Sequence, residues 1–303
     1  MSQQAQLIHY ETEHLSIACE VSGPSGGAPV FLMHGWPDDV RTWDRVLPRL
    51  HAAGYQTWVP YLRGFGPTHF RDSAAPRTGQ LSALGQDLLD LADAMSCDRF
   101  ISIGHDWGAR ACYIASVLAP ERVESCVALS VGWGTNDQSW TPGLKQIQNY
   151  WYHWYMALDR GADLVRNDRI AFTRYIWRIW NPTWQPSDEE FETTARSFLN
   201  PDWADVVLHS YRSRWGHAAL DSEYASIDAK LAGNPKISVP TLMIHGGADP
   251  CNDPSTSEGK EPFFTSAYSR LLLDGVGHIP QREASGDVAA AIANFLGETR
   301  SFR

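Results

Sequence analysis

Gly104-His105-Asp106-Trp107-Gly108 is the stretch on which the reading of this chain turns. Phe100-Ile101-Ser102-Ile103 before it is a short β-branched and aromatic run, and Ala109-Arg110-Ala111-Cys112-Tyr113-Ile114-Ala115 after it continues with helical spacing. The pentapeptide therefore reads as a strand turning directly into a helix. Its glycines are expected to permit the sharp turn and to hold the Asp106 side chain exposed above the sheet edge. A G-x-D-x-G match alone is weak, because an Asp at a helix start also serves as a cap. In strand, turn and helix context, Asp106 is the expected nucleophile.

An aspartate at this place restricts the chemistry. A hydroxyl attacking an sp3 carbon would leave an ether, which resists water, whereas a carboxylate leaves an ester, which water can cleave. A carboxylate is also ionised at neutral pH without help, so a base can be reserved for activating water in a second step.

The remaining machinery follows in order. Leu271-Leu272-Leu273-Asp274-Gly275-Val276-Gly277-His278 is an apolar strand running into a glycine-rich loop, with His278 at its end. Thr241-Leu242-Met243-Ile244-His245-Gly246-Gly247-Ala248-Asp249 is another strand followed by a turn. Asp249 would orient the imidazole and stabilise its protonated form, giving the order nucleophile, acid, histidine. Asp253 is the nearest rival for the acid. Upstream, Pro29-Val30-Phe31-Leu32-Met33 ends in His34-Gly35-Trp36-Pro37, and the backbone N–H groups of Trp36 and Trp107 form the natural oxyanion hole. Taken singly, each of these residues is also an ordinary turn element.

The chain has 303 residues, 43% of them hydrophobic, enough for one large α/β domain with an insertion. No apolar stretch reaches membrane-spanning length, and Met1-Ser2-Gln3-Gln4 lacks the apolar core of a signal peptide, so a cytoplasmic location is expected. Five scattered cysteines give neither a disulfide framework nor a metal-ligand spacing. A net charge of -10 with no basic run disfavours nucleic acid as a partner.

Strands are expected near 15–21, 29–33, 56–60, 100–104, 123–130, 240–245 and 269–274. Helical spacing appears at Leu81, Leu84, Leu88, Leu91 and Met95, and a last helix near 285–297. This alternation implies a mostly parallel sheet covered by helices. Residues 134–231 differ, being helical, aromatic and free of β-branched runs; they read as a cap inserted into a core of 1–133 and 232–303 after its sixth strand. Nine of the thirteen tryptophans fall between Trp133 and Trp215. Most should pack, but Tyr150-Trp151-Tyr152-His153-Trp154-Tyr155 and His209-Ser210-Tyr211-Arg212-Ser213-Arg214-Trp215 carry more ring N–H and O–H donors than packing requires.

The His34-Gly35-Trp36-Pro37, Gly104–Arg110, Asp249 and Gly275–His278 segments together resemble the α/β-hydrolases with an Asp nucleophile, a group that includes epoxide hydrolases, haloalkane dehalogenases and fluoroacetate-type dehalogenases. The resemblance spans nearly the whole chain and implies an eight-stranded, mostly parallel sheet with helices on both faces and a helical cap. In epoxide hydrolases two cap tyrosines hold the epoxide oxygen; Tyr152 and Tyr211, the latter in a Tyr-Arg pair, occupy the matching places. Tyr150 and Tyr155 compete with Tyr152 for that role. Paired phenols suit an alkoxide that must be both hydrogen-bonded and protonated.

Halide release needs donors alone, and two features resemble dehalogenases: His153-Trp154 in the early cap segment, and Trp107 directly after the nucleophile. The fluoroacetate enzymes, however, carry an arginine directly after the nucleophile that forms a carboxylate clamp with a second three residues on, and this chain keeps the second alone, Arg110. They are also similar to proteins with the acid after the sixth strand, where Val127-Ala128-Leu129-Ser130-Val131-Gly132 has no carboxylate. Arg110 is then expected to make salt bridges from its helix, and with His153 and Trp154 it remains a candidate for substrate contact. Arg63-Gly64-Phe65-Gly66 resembles the family's RGxG loop, with Tyr61 where an Asp is usual, and reads as architecture. The expectation is an epoxide hydrolase, monomer or homodimer, needing no metal or organic cofactor and taking an apolar or aryl-bearing epoxide. A dehalogenase is the alternative, and a ligand-binding protein without turnover is disfavoured because all three triad members are present.

Overall fold

The computed structural model describes residues 5–135 and 140–301. Nine strands form one sheet: β1 (Gln6–Glu11), β2 (Leu15–Ser22), β3 (Ala28–Met33), β4 (Tyr55–Pro60), β5 (His69–Phe70), β6 (Phe100–His105), β7 (Val123–Leu129), β8 (Thr241–Gly246) and β9 (Tyr268–Leu273). The spatial order is β1-β2-β4-β3-β6-β7-β8-β9, with β5 attached to β2. The expected eight strands describe this path, and the two-residue β5 is the ninth. From β4 to β9 every neighbouring pair is parallel, whereas β1, β4 and β5 all pair antiparallel with β2. β1 carried no sequence expectation; it is an edge strand with four of its six residues exposed, so it lacks a clear apolar face.

The central strands read as continuous apolar runs because both faces are covered. Val30 and Leu32 of β3 join one core, while Phe31 and Met33 point into the other. On the first face lie α1 (Leu47–Ala52) and α12 (Ser285–Ser301), supplying Leu50, Ile292 and Leu296. On the second lie α2 (Leu81–Ala94) and α3 (Trp107–Leu118), supplying Leu84, Leu88, Ala111 and Ala115. Each fully buried aliphatic side chain contributes about 1.5–3 kcal/mol.

Between β7 and β8 the described residues form seven α-helices: α4 (Leu144–Asn149), α5 (Trp151–Ala157), α6 (Asp159–Asn167), α7 (Arg169–Trp180), α8 (Asp188–Ala195), α9 (Trp203–Ser213) and α10 (Ala225–Leu231). The short α11 (Pro280–Glu283) precedes α12. Among the described residues no helix is long and apolar enough to cross a membrane.

The connections after β3 and β6 lead to opposite sides of the sheet. Such a switch point leaves a crevice at the carboxyl ends of the strands, where ligands bind in open α/β sheets. Met33 pairs with Gly104 in the β3–β6 register, which brings Gly35 and Trp36 beside Asp106. The expected architectural loop is pinned by Arg63: its Nε and Nη2 donate to both Asp87 carboxylate oxygens at 2.7 and 2.6 Å, and its Nη1 donates to Thr78 O.

Candidate active site

Asp106 sits at the end of β6 with φ +50° and ψ -111°, a conformation costly for a residue with a Cβ, about 1–3 kcal/mol. The strain of the turn thus falls on the aspartate and not on its glycines, which lack positive φ. The glycines provide space instead. A Cβ at Gly104 would lie 2.2 Å from Gly108 O, one at Gly108 2.2 Å from Met33 O, and one at Gly35 2.5 Å from Asp106 Cβ. Asp106 is also buried, at 5% exposure, where the sequence predicted an exposed apex. Aromatic rings, Trp36 with Tyr152 and Tyr211 of the insertion, cover it.

One Asp106 oxygen, Oδ1, accepts the Trp36 backbone N–H at 3.0 Å. The other, Oδ2, lies 3.8 Å from His278 Nε2, close but not hydrogen-bonded, and Nε2 has no other partner. The His278 Nδ1–H donates to Asp249 Oδ2 at 2.8 Å. The second oxygen of Asp249 accepts the backbone N–H groups of Cys251 and Asn252 at 2.7 and 3.0 Å. Burial acts to raise the Asp249 pKa, but His278 and His245 outweigh it and hold the carboxyl well below its usual range. Burial acts to lower the His278 pKa, and the Asp249 carboxylate outweighs that, raising it well above the ordinary imidazole value. Asp253, the rival acid, instead caps a short 3-10 helix by accepting from Ser255 N and Oγ.

Two tyrosines from the helical insertion meet here. Tyr152 of α5 stacks on Trp36 with ring centroids 5.5 Å apart, and Tyr211 of α9 meets the same indole edge-on at 5.0 Å. The two phenol rings are 5.3 Å apart. Tyr211 OH accepts the Trp107 indole N–H at 3.2 Å, and Tyr152 OH lies 3.4 Å from Cys251 Sγ. Burial raises both phenol pKa values well above normal, with Asp106 adding to the effect at Tyr211, so both rings stay protonated. Of the competing tyrosines, Tyr150 donates its OH to Asn252 Oδ1 at 2.7 Å, and Tyr155 is partly exposed.

Three other sequence candidates fare differently. His153 is buried, stacked on Tyr150 and 4.5 Å from the Tyr211 ring, with Nδ1 accepting the Trp215 indole N–H. Trp154 is turned away from it by one helical step: its N–H donates to Ile147 O and its ring packs on Trp215, so it is not a free donor for a leaving group. Among the described residues Arg110 makes no salt bridge, against expectation, and one side-chain hydrogen bond, from Nη1 to Thr135 Oγ1; its Nε is unpartnered.

Several contacts carried no sequence signal. His245 Nε2 faces two acceptors, Asp249 Oδ2 at 3.2 Å and Asn252 O at 3.0 Å, so it carries the proton and steadies the acid. Trp180 packs edge-on against His278 at 4.7 Å, and its carbonyl accepts the His278 N–H. Cys251 Sγ also comes to the site, against Tyr152 OH, and the Arg214 guanidinium lies over the Tyr211 and Trp107 rings.

A carboxylate at a strained strand-to-helix turn, an amide from the loop after β3 on that carboxylate, and an Asp–His pair at the ends of β8 and β9 define a hydrolase of the α/β class. The family model for the α/β-hydrolase fold matches residues 28–284, and the chain belongs to that family. Epoxide hydrolase A of Mycobacterium tuberculosis is 28% identical over 321 residues, covering 94% of this chain and 95% of its own length. Epoxide hydrolase 1 of Siraitia grosvenorii is 31% identical over 310 residues, covering 94% and 98%. A crystal structure from Klebsiella pneumoniae, described as a candidate epoxide hydrolase, shares 34% identity and a TM-score of 0.90, covering 96% of this chain and 97% of that one.

Proposed function

We propose that this hydrolase opens an epoxide to a vicinal diol through an ester on Asp106. The observation that carries the reading is the pair of buried, protonated phenols, Tyr152 and Tyr211, touching each other and the Trp36 ring whose backbone holds the Asp106 carboxylate. The names of the relatives agree with it. Helices within 134–231 act as the cap, closing the site with their aromatic side chains. The flat aromatic side chains of the cap suit an apolar, aryl or alkyl epoxide. The five cysteines are free, which fits a cytoplasmic setting.

In the first step Asp106 Oδ2 attacks an epoxide carbon while one phenol hydrogen-bonds the opening oxygen and the other protonates it. In the second, His278 Nε2 takes a proton from water, and the resulting hydroxide attacks the ester carbonyl. Negative charge then develops on Oδ1, in the hole formed by the Trp36 amide with the Trp107 amide as its partner. Collapse releases the diol. The proton held by His278 and the one shed by the new Asp106 carboxyl restore the leaving alkoxide and the phenolate.

Parallel assays with styrene oxide, a 1-bromoalkane and fluoroacetate test the class. Diol from styrene oxide without halide from the other two is expected, since the Trp107 and Trp154 indole N–H groups are already bonded to Tyr211 and Ile147. Halide release with no diol would assign the site to a dehalogenase instead.

The histidine is expected to titrate abnormally. In the resting enzyme Asp249 holds the His278 proton, so NMR titration should place its pKa above the ordinary 6.5. Asp249→Asn removes the largest effect opposing burial, so the pKa should fall from its native value. Alkylation acts in the same direction, because it neutralises the carboxylate 3.8 Å from Nε2 and readies the ring as a base. An unchanged His278 titration in Asp249→Asn would remove the acid from its assigned role.

A further inference from the structure

Arg214 caps α9 three residues after Tyr211. Its guanidinium lies over the Tyr211 ring at 4.7 Å and over the Trp107 ring at 5.7 Å from their centroids, within the reach of cation–π attraction. Its Nη2 donates to Ser210 Oγ at 3.0 Å, and its Nε is buried and unpartnered. Among the described residues no carboxylate pairs with it. Asp228, the one acid lining the cavity of about 620 Å³ that Arg214 shares with Arg110, accepts instead from Gln80 Nε2 at 3.1 Å. The sequence couples Tyr211 to Arg212, but that side chain turns away and donates to Met156 O and Ala157 O.

The two phenols therefore stand in different surroundings. Tyr211 OH accepts the Trp107 indole N–H at 3.2 Å, and its ring faces an uncompensated guanidinium. Tyr152 OH has Cys251 Sγ at 3.4 Å, a weak partner. Burial leads in raising both pKa values; at Tyr152 the neighbouring Cys251, Tyr211 and Tyr150 add to it, whereas at Tyr211 the guanidinium and the indole N–H pull the value back against Asp106. His153, whose ring is 4.5 Å from Tyr211, adds no charge, because burial holds it neutral.

We propose that Tyr211 is the acid that protonates the opening epoxide oxygen while Tyr152 holds it, and that Arg214 and the Trp107 indole are positioning residues for the phenolate left behind. This assignment rests on epoxide opening at Asp106. As Asp106 Oδ2 forms its bond to carbon, the carbon–oxygen bond of the ring breaks and the Tyr211 proton passes to that oxygen. The electron pair of the O–H bond stays on the phenol and spreads into the ring under the guanidinium, while the Trp107 N–H holds the phenolate oxygen. Both interactions strengthen as charge develops, so they lower the barrier and leave substrate binding unchanged. His278 returns the proton once the ester is hydrolysed.

The rate of ester formation tests the assignment. In enzyme carrying His278→Gln, which keeps the first step, rapid-quench mass spectrometry of the styrene oxide adduct should show Arg214→Gln about tenfold slower and Arg214→Lys within about threefold of the parent. The styrene oxide concentration giving half-maximal rate should stay the same. Trp107→Phe, which keeps the ring and the backbone amide, should also be about tenfold slower. Each loss should depend on the Tyr211 hydroxyl. In Tyr211→Phe, adding Arg214→Gln should change the rate less than about twofold, whereas in Tyr152→Phe it should keep its full effect. A side chain that merely braces α9 would cost the same in both backgrounds. The same cycle with Trp107→Phe decides the matter where Arg214→Gln does not fold. If the Arg214 and Trp107 variants are harmless, or equally harmful with and without the Tyr211 hydroxyl, the assignment is wrong and the epoxide reading stands. If His278→Gln alone gains no adduct, the reading at Asp106 fails and takes the assignment with it.

Discussion

His278→Gln enzyme, mixed with an epoxide that the native enzyme hydrolyses, is expected to gain the mass of the whole epoxide and then stop. The first step needs no base, because the carboxylate is itself the nucleophile, and Trp36 N–H already holds Oδ1 at 3.0 Å. His278 Nε2, at 3.8 Å and unbonded, is placed for the second step and not the first. Losing the general base should cost turnover roughly 10²- to 10⁴-fold. Intact-protein mass spectrometry reads the adduct, and peptide mapping should place it on Asp106. A dehalogenase adduct would instead weigh the substrate less hydrogen halide, so the same spectrum separates the two chemistries. The absence of any adduct, together with activity retained in Asp106→Ala, would overturn the covalent route.

Removing both phenols should be as damaging at the other step. Each donor to a developing oxyanion contributes about 10²-fold or more, so Tyr152→Phe with Tyr211→Phe is expected to slow epoxide opening by about 10⁴. The two rings touch, so the loss need not be the product of the single effects. Phenylalanine preserves the packing on Trp36, and the fold should survive. The Trp107 indole N–H loses its acceptor in Tyr211→Phe, a stability cost of about 1–3 kcal/mol that a thermal melt would register. Near-native diol formation by the double variant would leave the reading without an acid.

The strands around the elbow were legible because their cause is local: an apolar or β-branched run, then residues that turn the chain, recurring from Val30 to Leu273. Asp106, Asp249 and His278 were readable as candidates for the same reason, each following directly on such a run. The helical insertion was readable from composition. Its details were not, because in Tyr150-Trp151-Tyr152-His153-Trp154-Tyr155 every residue is aromatic or histidine and the pattern marks no inward face. Folding decides that face: Tyr152 turns to Trp36 and Tyr211, and Trp154 to Trp215. Only the tertiary structure shows that Asp106 and not its glycines carries the strained φ, since the cause is the close approach of the β3 and β6 ends. It alone sets Arg110 and Arg214 at the same cavity, because those two residues are 104 positions apart in sequence and come together only when the insertion packs on the core. Local chemistry is written along the chain; which partners a side chain finds depends on contacts between distant segments.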